Sequence, residues 1–86
     1  MAETQGLVQK LKILPGSSLA FVYIGPTPTN TALLFISRPS SDSPEVGTFK
    51  NNMVDAMAAA QVARREVVAV HGASSSLITD MRIDPV

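Results

Sequence analysis

The spacing of apolar residues changes twice along this chain, near residue 48 and again near residue 65. Between those positions apolar residues recur every three or four places, whereas elsewhere they gather in short runs rich in branched and aromatic side chains. These runs occupy residues 7–14, 19–25, 31–38, 66–71 and 77–84. Short runs of this kind are typical of strands, and the wider spacing is typical of a helix. The pattern predicts the order β-β-β-α-β-β.

The predicted strands differ in how many of their faces are apolar. In the first run Leu7, Leu11 and Ile13 share one face, while Lys10 and Lys12 point the other way. The second and third runs are apolar on both faces. A strand that is apolar on both faces needs a covering surface on each side.

The last run alternates between apolar and polar residues. Its pattern predicts that Leu77, Met81 and Ile83 face inwards, and that Ile78 and Arg82 face outwards. Such alternation is typical of a strand with one buried face and one face in water.

The predicted helix is rich in alanine. Thr48 is the expected N-cap, and the helix is expected to reach about Arg65. One stripe at helical spacing consists of Phe49, Met53, Ala56, Met57, Ala60 and Arg64. Two explanations for the alanines stay open: they allow a second surface to approach the helix closely, or they are present only because alanine favours a helix. The whole chain, residues 1–86, is expected to form one domain, with residues 1–6 and the Ser- and Pro-rich segment 39–47 mobile.

The chain carries few charges for its size, and this favours assembly. Charged residues make up 16% of the sequence, against roughly 25% in typical soluble domains. The sequence has no cysteine, so neither a disulfide nor a thiolate metal site can stabilise these 86 residues. Burial between subunits is the remaining common source of stability, and it predicts a homo-oligomer.

The charges that are present argue against nucleic acid as a partner. Lys+Arg and Asp+Glu both number 7, and the basic residues are scattered along the sequence. A scattered set attracts a phosphate backbone weakly. No apolar run approaches the ~18 residues of a membrane span, and the first residues lack the pattern of a signal peptide. The chain as written is expected to be cytoplasmic, or secreted if a signal peptide has been removed.

The order of elements resembles a known fold. An amphipathic helix starting near Phe49 is followed by the strand 66–71, a small turn, and the strand that ends near Ile83. With three strands before it, this arrangement is similar to the OB-fold, a five-stranded barrel with one helix between its third and fourth strands. The compact form resembles the ring-forming B subunits of AB-type bacterial toxins. The resemblance implies a cyclic pentamer with helices around a central pore.

Catalysis is not expected. His71 and Ser74 stand close together, but a nucleophilic serine of the hydrolase type sits on a strand-to-helix turn with a distant base. Here the segment joins two strands, and the two residues are too near in sequence to act easily as base and nucleophile. No metal-ligating pattern and no cofactor motif is present in the sequence, so neither a metal nor a cofactor is expected.

Two polar turns are candidates for a ligand site. In an OB barrel the turns 15–18 and 72–76 lie near one another, at the end where ligands usually bind. The candidate ligand-binding residues are Ser17, Ser18, His71, Ser74 and Ser75. Their hydroxyls and backbone amides suit a polar ligand such as a sugar. The alternative is that both segments are hairpin turns, since Gly, Pro and Ser favour turns for conformational reasons alone.

These features leave two functions open. The first is a non-enzymatic oligomeric binding or scaffold module that recognises a glycan or a protein. The alternative is an OB-type single-stranded nucleic-acid binding protein, which would stack bases on aromatic side chains. Phe21 and Tyr23 share a face and could form such a platform. A place in the core is favoured for them, because aromatic residues are few and no basic residue is seen to interleave with them.

Overall fold

The computed structural model describes residues 2–13, 18–39 and 41–83 of the chain. It contains five strands and one helix in the predicted order, which confirms a mostly β chain with a single helix. The elements are β1 (Ala2–Ile13), β2 (Leu19–Thr27), β3 (Asn30–Ser37), α1 (Pro44–Ala63), β4 (Glu66–His71) and β5 (Ile78–Arg82).

The strands form one antiparallel sheet in the order β3-β2-β1-β4-β5. The long β1 is shared, because its first half pairs with β4 and its second half with β2, and Leu7 belongs to both ladders. Gly6 lies at this exchange of partners, where an added Cβ would come within 3.2 Å of the Gly25 backbone. A residue without a side chain therefore lets two strands approach closely at this point.

The outer strand β3 is bonded to the residues just before β5, the strand at the other edge of the sheet. The Phe35 N–H donates to the Ser76 carbonyl at 3.0 Å, and Phe35 forms an isolated parallel bridge with Leu77. Among the described residues this contact does not continue into a ladder, so the sheet is not closed.

The core lies between one face of the sheet and one side of α1. Alternate residues of β2 and β3 point into it, and the helix adds two methionines, a valine and an alanine. The buried residues of these three elements are Ala20, Val22, Ile24, Leu34, Ile36, Met53, Val54, Met57 and Ala60. The helix thus covers the apolar face of the sheet.

The helix begins earlier than the sequence pattern predicts. Ser43, not Thr48, is the N-cap, and its Oγ accepts a hydrogen bond from the Val46 N–H at 3.2 Å. Pro44 follows as the first helical residue, where its fixed φ fits and its missing N–H costs nothing. The helix ends at Ala63, with Arg64 in the left-handed conformation at φ 55°. Residues 44–47 are thus the first turn of α1, and the predicted mobility of segment 39–47 stays a prediction.

Two strand boundaries also differ from the prediction. β1 starts at Ala2 rather than Leu7, because residues 2–6 pair with β4; whether segment 1–6 is mobile stays a prediction. The region 26–30 was expected to be a loop, but β2 runs to Thr27 and β3 starts at Asn30. Pro26 fits there because the ladder register shifts between Ile24 and Thr27, so no regular hydrogen bond is lost.

The predicted alternation of the last strand is wrong. Ile78 is buried at 2% exposure, whereas Leu77 and Ile83 are 37% and 39% exposed. The ladder shifts between Val70 and His71, which leaves Thr79 as an extra residue in β5. A bulge of this kind reverses the inside–outside order along a strand. Met81 does pack against the core, as predicted.

A second bulge changes the faces of β1. The register with β2 shifts between Val8 and Lys10, so Gln9 is the extra residue. Val8 and Leu11 both face the core as a result, while Ile13 is 52% exposed. The prediction that Leu7 shares one face with Leu11 and Ile13 is therefore wrong, because the bulge places Leu7 on the opposite face.

Candidate functional site

The turn after β4 uses most of its polar groups internally. The Nδ1 atom of His71 lies 2.8 Å from the Ser75 carbonyl and 2.9 Å from the Gly72 carbonyl, so it carries the proton and donates. The other ring nitrogen, Nε2, then accepts from the Thr4 hydroxyl at 2.9 Å. Ser75 Oγ accepts from the Leu77 N–H. Ser74 is exposed, and its hydroxyl remains open to solvent.

The turn between β1 and β2 is described only at its last residue. Ser17 lies outside the described residues, and Ser18 is exposed. The Ser18 carbonyl accepts a hydrogen bond from the Arg38 N–H at 2.7 Å. This contact attaches the end of the turn to the end of β3.

Both candidate turns are thus attached to the same part of β3. Ser76 is bonded to Phe35, and Ser18 is bonded to Arg38. Three residues of extended chain span about 10 Å, so the two attachment points are close. The structure brings the ends of the turns to one region, where both ring nitrogens of His71 are already bonded within the protein, so the serine hydroxyls are the groups left there to donate to a sugar.

A different surface stands out on the side of the sheet opposite the core. Lys10, Tyr23 and Leu33 are direct cross-strand neighbours in β1, β2 and β3. Lys12, Phe21 and Phe35 form the next row on the same side. We call this surface the aromatic face, and it consists of Lys10, Lys12, Phe21, Tyr23, Leu33 and Phe35.

The aromatic face is apolar but is not part of the core. Phe21, Tyr23 and Phe35 are all half-buried, and none of them belongs to the core cluster of the described residues. Leu33 is 46% exposed. The expectation that these aromatic side chains form the core is wrong, because the register places their alternate neighbours inwards instead.

Basic side chains lie beside these aromatic rings. The Lys10 Nζ atom is 5.4 Å from the centre of the Tyr23 ring, within the range of a cation–π contact. Lys12 is the cross-strand neighbour of Phe21. The view that no basic residue interleaves with the aromatics is therefore wrong. The pairing was missed because the two strands are separated in sequence and their register depends on the Gln9 bulge.

Acidic residues are absent from the strands around this face. Neither β2, β3 nor residues 10–13 of β1 contain Asp or Glu. Glu3 lies in the other half of β1, where it pairs with Arg82 at 2.7 Å. The zero net charge therefore conceals a separation of charge, since Lys10 and Lys12 lie on the aromatic face and form no ion pair with any described residue.

The helix has exposed apolar side chains of its own. Val62 is 86% exposed, and its neighbours Ala59 and Ala63 are exposed as well. Phe49 is 50% exposed near the other end of α1. We call Ala59, Val62 and Ala63 the helix patch.

No family of proteins, no curated protein and no solved structure matches this chain. In the described part of the chain no helix has the length and hydropathy to cross a membrane. Over the same residues, the His, Asp and Glu side chains do not form a group of three able to hold a metal ion.

Proposed function

We propose that this chain is a non-enzymatic binding domain of OB-like barrel architecture that holds single-stranded nucleic acid on its aromatic face. The observation that carries the proposal is the pair of cross-strand rows that place Lys10 beside Tyr23 and Lys12 beside Phe21. Aromatic rings stack on bases, and the neighbouring cations meet the phosphates between them.

The sheet topology supports the barrel part of this proposal. β1 lies in the centre with β2 and β4 on its two sides, and the outer strand β3 forms an isolated bridge from Phe35 to Leu77, the residue before β5. Extending that bridge into a ladder would bring the two edges together. In an OB barrel the second and third strands form part of the ligand face, and here β2 and β3 supply Phe21, Tyr23 and Phe35.

The charge of the face favours nucleic acid over a neutral glycan. A sugar also stacks on aromatic rings, but it gains little from two lysines with no carboxylate beside them. Stacking contributes about 1–3 kcal/mol for each base. A protein that stacks two or three bases and contacts a few phosphates is expected to bind with modest affinity and little sequence preference.

The test is the binding of a fluorescein-labelled oligo-dT, followed by anisotropy at low ionic strength. Tyr23→Ala is expected to weaken binding about tenfold, because one stacking contact is lost. The matched control is Phe49→Ala, which removes an exposed aromatic ring on the helix and leaves binding unchanged. Absence of binding by the wild-type protein, or an equal effect of the two variants, would refute the proposal.

A second candidate is the homo-oligomeric scaffold, and the helix patch favours it. An exposed valine between two exposed alanines gives a slim apolar surface on which a second copy can pack. We propose a cyclic assembly, with a pentamer as the expected number from the toxin B-subunit resemblance. Ala59→Glu is expected to dissociate it. Sedimentation of the wild type as a 9.1 kDa monomer would contradict this assembly.

A further inference from the structure

A polar cleft lies where β3 leads into α1. Its volume is about 420 Å³, and Ser18, Arg38 and Asn51 contribute to its walls. Arg38 follows Phe35 by three residues, or about 10 Å of extended chain, and its side chain reaches Asn51 of α1, so the cleft lies at the end of β3 on the helix side of the sheet. We call it the Arg38 cleft.

The guanidinium of Arg38 is incompletely bonded. Its Nη1 donates to Asn51 Oδ1 at 3.0 Å. Its Nε has less than 1 Å² exposed and has no hydrogen-bond partner among the described residues. A buried donor without an acceptor destabilises the fold. An acceptor supplied by a ligand would remove this cost. Because Asn51 occupies Nη1, the Nε–Nη2 edge is the side without an acceptor, and a bidentate acceptor would meet it once the half-buried side chain turns towards the cleft.

The charge of Arg38 is also not neutralised within the cleft. The carboxylate that lines the cleft, Asp42, is bound to Lys50 at 2.8 Å. Among the described residues, no carboxylate oxygen lies within salt-bridge distance of Arg38. The cleft lining therefore holds one arginine and one aspartate, and because the aspartate is paired with Lys50 from outside the lining, the charge of Arg38 has no partner there. The hydroxyl-bearing residues Ser18 and Ser43 line the same cleft.

We infer that the Arg38 cleft binds a phosphate group. A phosphate presents two oxygens to one edge of a guanidinium, which is the geometry that arginine favours over lysine. The third oxygen can accept from a serine hydroxyl. The phosphate comes either from a strand lying on the aromatic face or from the free anion, and the cleft's chemistry is the same for both. The inference rests on Arg38 and holds whether or not the aromatic face binds nucleic acid.

The first measurement is a titration of the ¹⁵N-labelled full chain with inorganic phosphate, followed by NMR. The amides of Ser43, Gly47 and Asn51 are expected to shift and saturate. Arg38→Gln is expected to weaken this binding about tenfold or more, since a charged bidentate contact is lost. Arg64→Gln, which removes an exposed cation from the far end of α1, is the control and leaves the titration unchanged.

A second variant tests whether Arg38→Gln loses binding only because it folds poorly. Asn51→Asp keeps the size of an exposed residue on α1 but places a carboxylate against Arg38 Nη1. It is expected to weaken phosphate binding as strongly as Arg38→Gln, by neutralising the cation without removing it. Shifts that do not saturate, or that persist in both variants, would overturn the inference.

A third measurement identifies the source of the phosphate. Oligo-dT with and without a 5′-phosphate is compared on the wild type, Arg38→Gln and Tyr23→Ala. An advantage of the 5′-phosphate that disappears only in Arg38→Gln assigns the cleft to a strand. Saturation by inorganic phosphate, with oligonucleotide binding unaffected by Arg38→Gln, assigns it to the free anion. Loss of oligonucleotide binding in Tyr23→Ala alone concerns the aromatic face, so the two proposals fail separately.

Discussion

At the scale of single residues, two glycines illustrate opposite demands of the fold. A Cβ on Gly25 would lie 2.0 Å from the Asn30 carbonyl oxygen, a backbone atom that cannot move aside easily. A Cβ on Gly47, in the first turns of α1, would meet nothing within 4 Å. The first glycine is required by close approach of two strands, and the second is not required by packing.

These two positions give a matched prediction. Gly25→Ala is expected to destabilise the protein severely, because β2 and β3 must separate to admit the methyl group. Gly47→Ala is expected to stabilise it by about 0.5–1 kcal/mol through helix propensity. Thermal unfolding followed by circular dichroism measures both. A similar melting temperature for the two variants would contradict this account of Gly25.

The helix cap gives a second prediction at this scale. Ser43→Ala is expected to lower the free energy of unfolding by about 1 kcal/mol, because the Val46 N–H loses its acceptor. Thr48→Ala is the control, since Thr48 is an exposed residue inside the helix and alanine is the better helix former. Denaturant unfolding of both variants decides which residue is the cap. A larger loss for Thr48→Ala would restore the boundary that the sequence pattern indicates.

At the scale of elements, the sequence predicted the number, kind and order of strands and helix, but not all their limits. Thr48 and Ser43 are both good caps, and the proline after Ser43 was the signal that separates them. The alternation of apolar and polar residues also predicted the wrong inward-facing residues for β5, because one extra residue at Thr79 reverses the alternation. The Thr79 hydroxyl donates to the Val70 carbonyl at 3.2 Å, a contact across the bulge. The pattern of apolar residues along the sequence shows which residue types a strand contains, but it does not show where an extra residue is inserted into the ladder.

The candidate site was harder to predict for a related reason. The lysines of β1 and the aromatics of β2 were each assigned to a face of their own strand. Whether those faces coincide depends on register, and the register depends on the bulge at Gln9. The sequence alone therefore suggested the turns, whose residue types are conspicuous, and missed a surface made by residues far apart in the chain.

The packing of α1 on the sheet gives a prediction for the element as a whole. Met57 is 0% exposed in the centre of the helix, whereas Val62 is 86% exposed. Met57→Ala is expected to cost about 2–5 kcal/mol, since it removes buried side-chain volume and leaves a cavity. Asn52→Ala, at an exposed position of α1 outside the helix patch, is expected to change the free energy of unfolding little. Equal losses in urea unfolding would mean that the helix does not cover the core as described.

At the scale of the whole molecule, the distribution of charge matters more than its sum. The chain is neutral overall, yet β2, β3 and the second half of β1 contain no acidic residue. Lys10 and Lys12 therefore have no neighbouring carboxylate on these strands. Counting charges along the sequence led to the expectation that nucleic acid is not the favoured partner. The fold separates the charges, and this separation is the reason for proposing nucleic acid as the ligand of the aromatic face.

This separation predicts how binding should respond to salt. Each phosphate neutralised on a single strand contributes about −0.7 to the slope of log K against log salt concentration. If Lys10 and Lys12 each meet one phosphate, replacing both with glutamine should reduce the magnitude of the slope by about 1.4. Arg64→Gln, at the far end of α1, should leave the slope unchanged. Anisotropy titrations of oligo-dT over a range of salt concentrations measure it. A slope that does not change when both lysines are replaced would show that the aromatic face does not hold the strand, whatever the affinity.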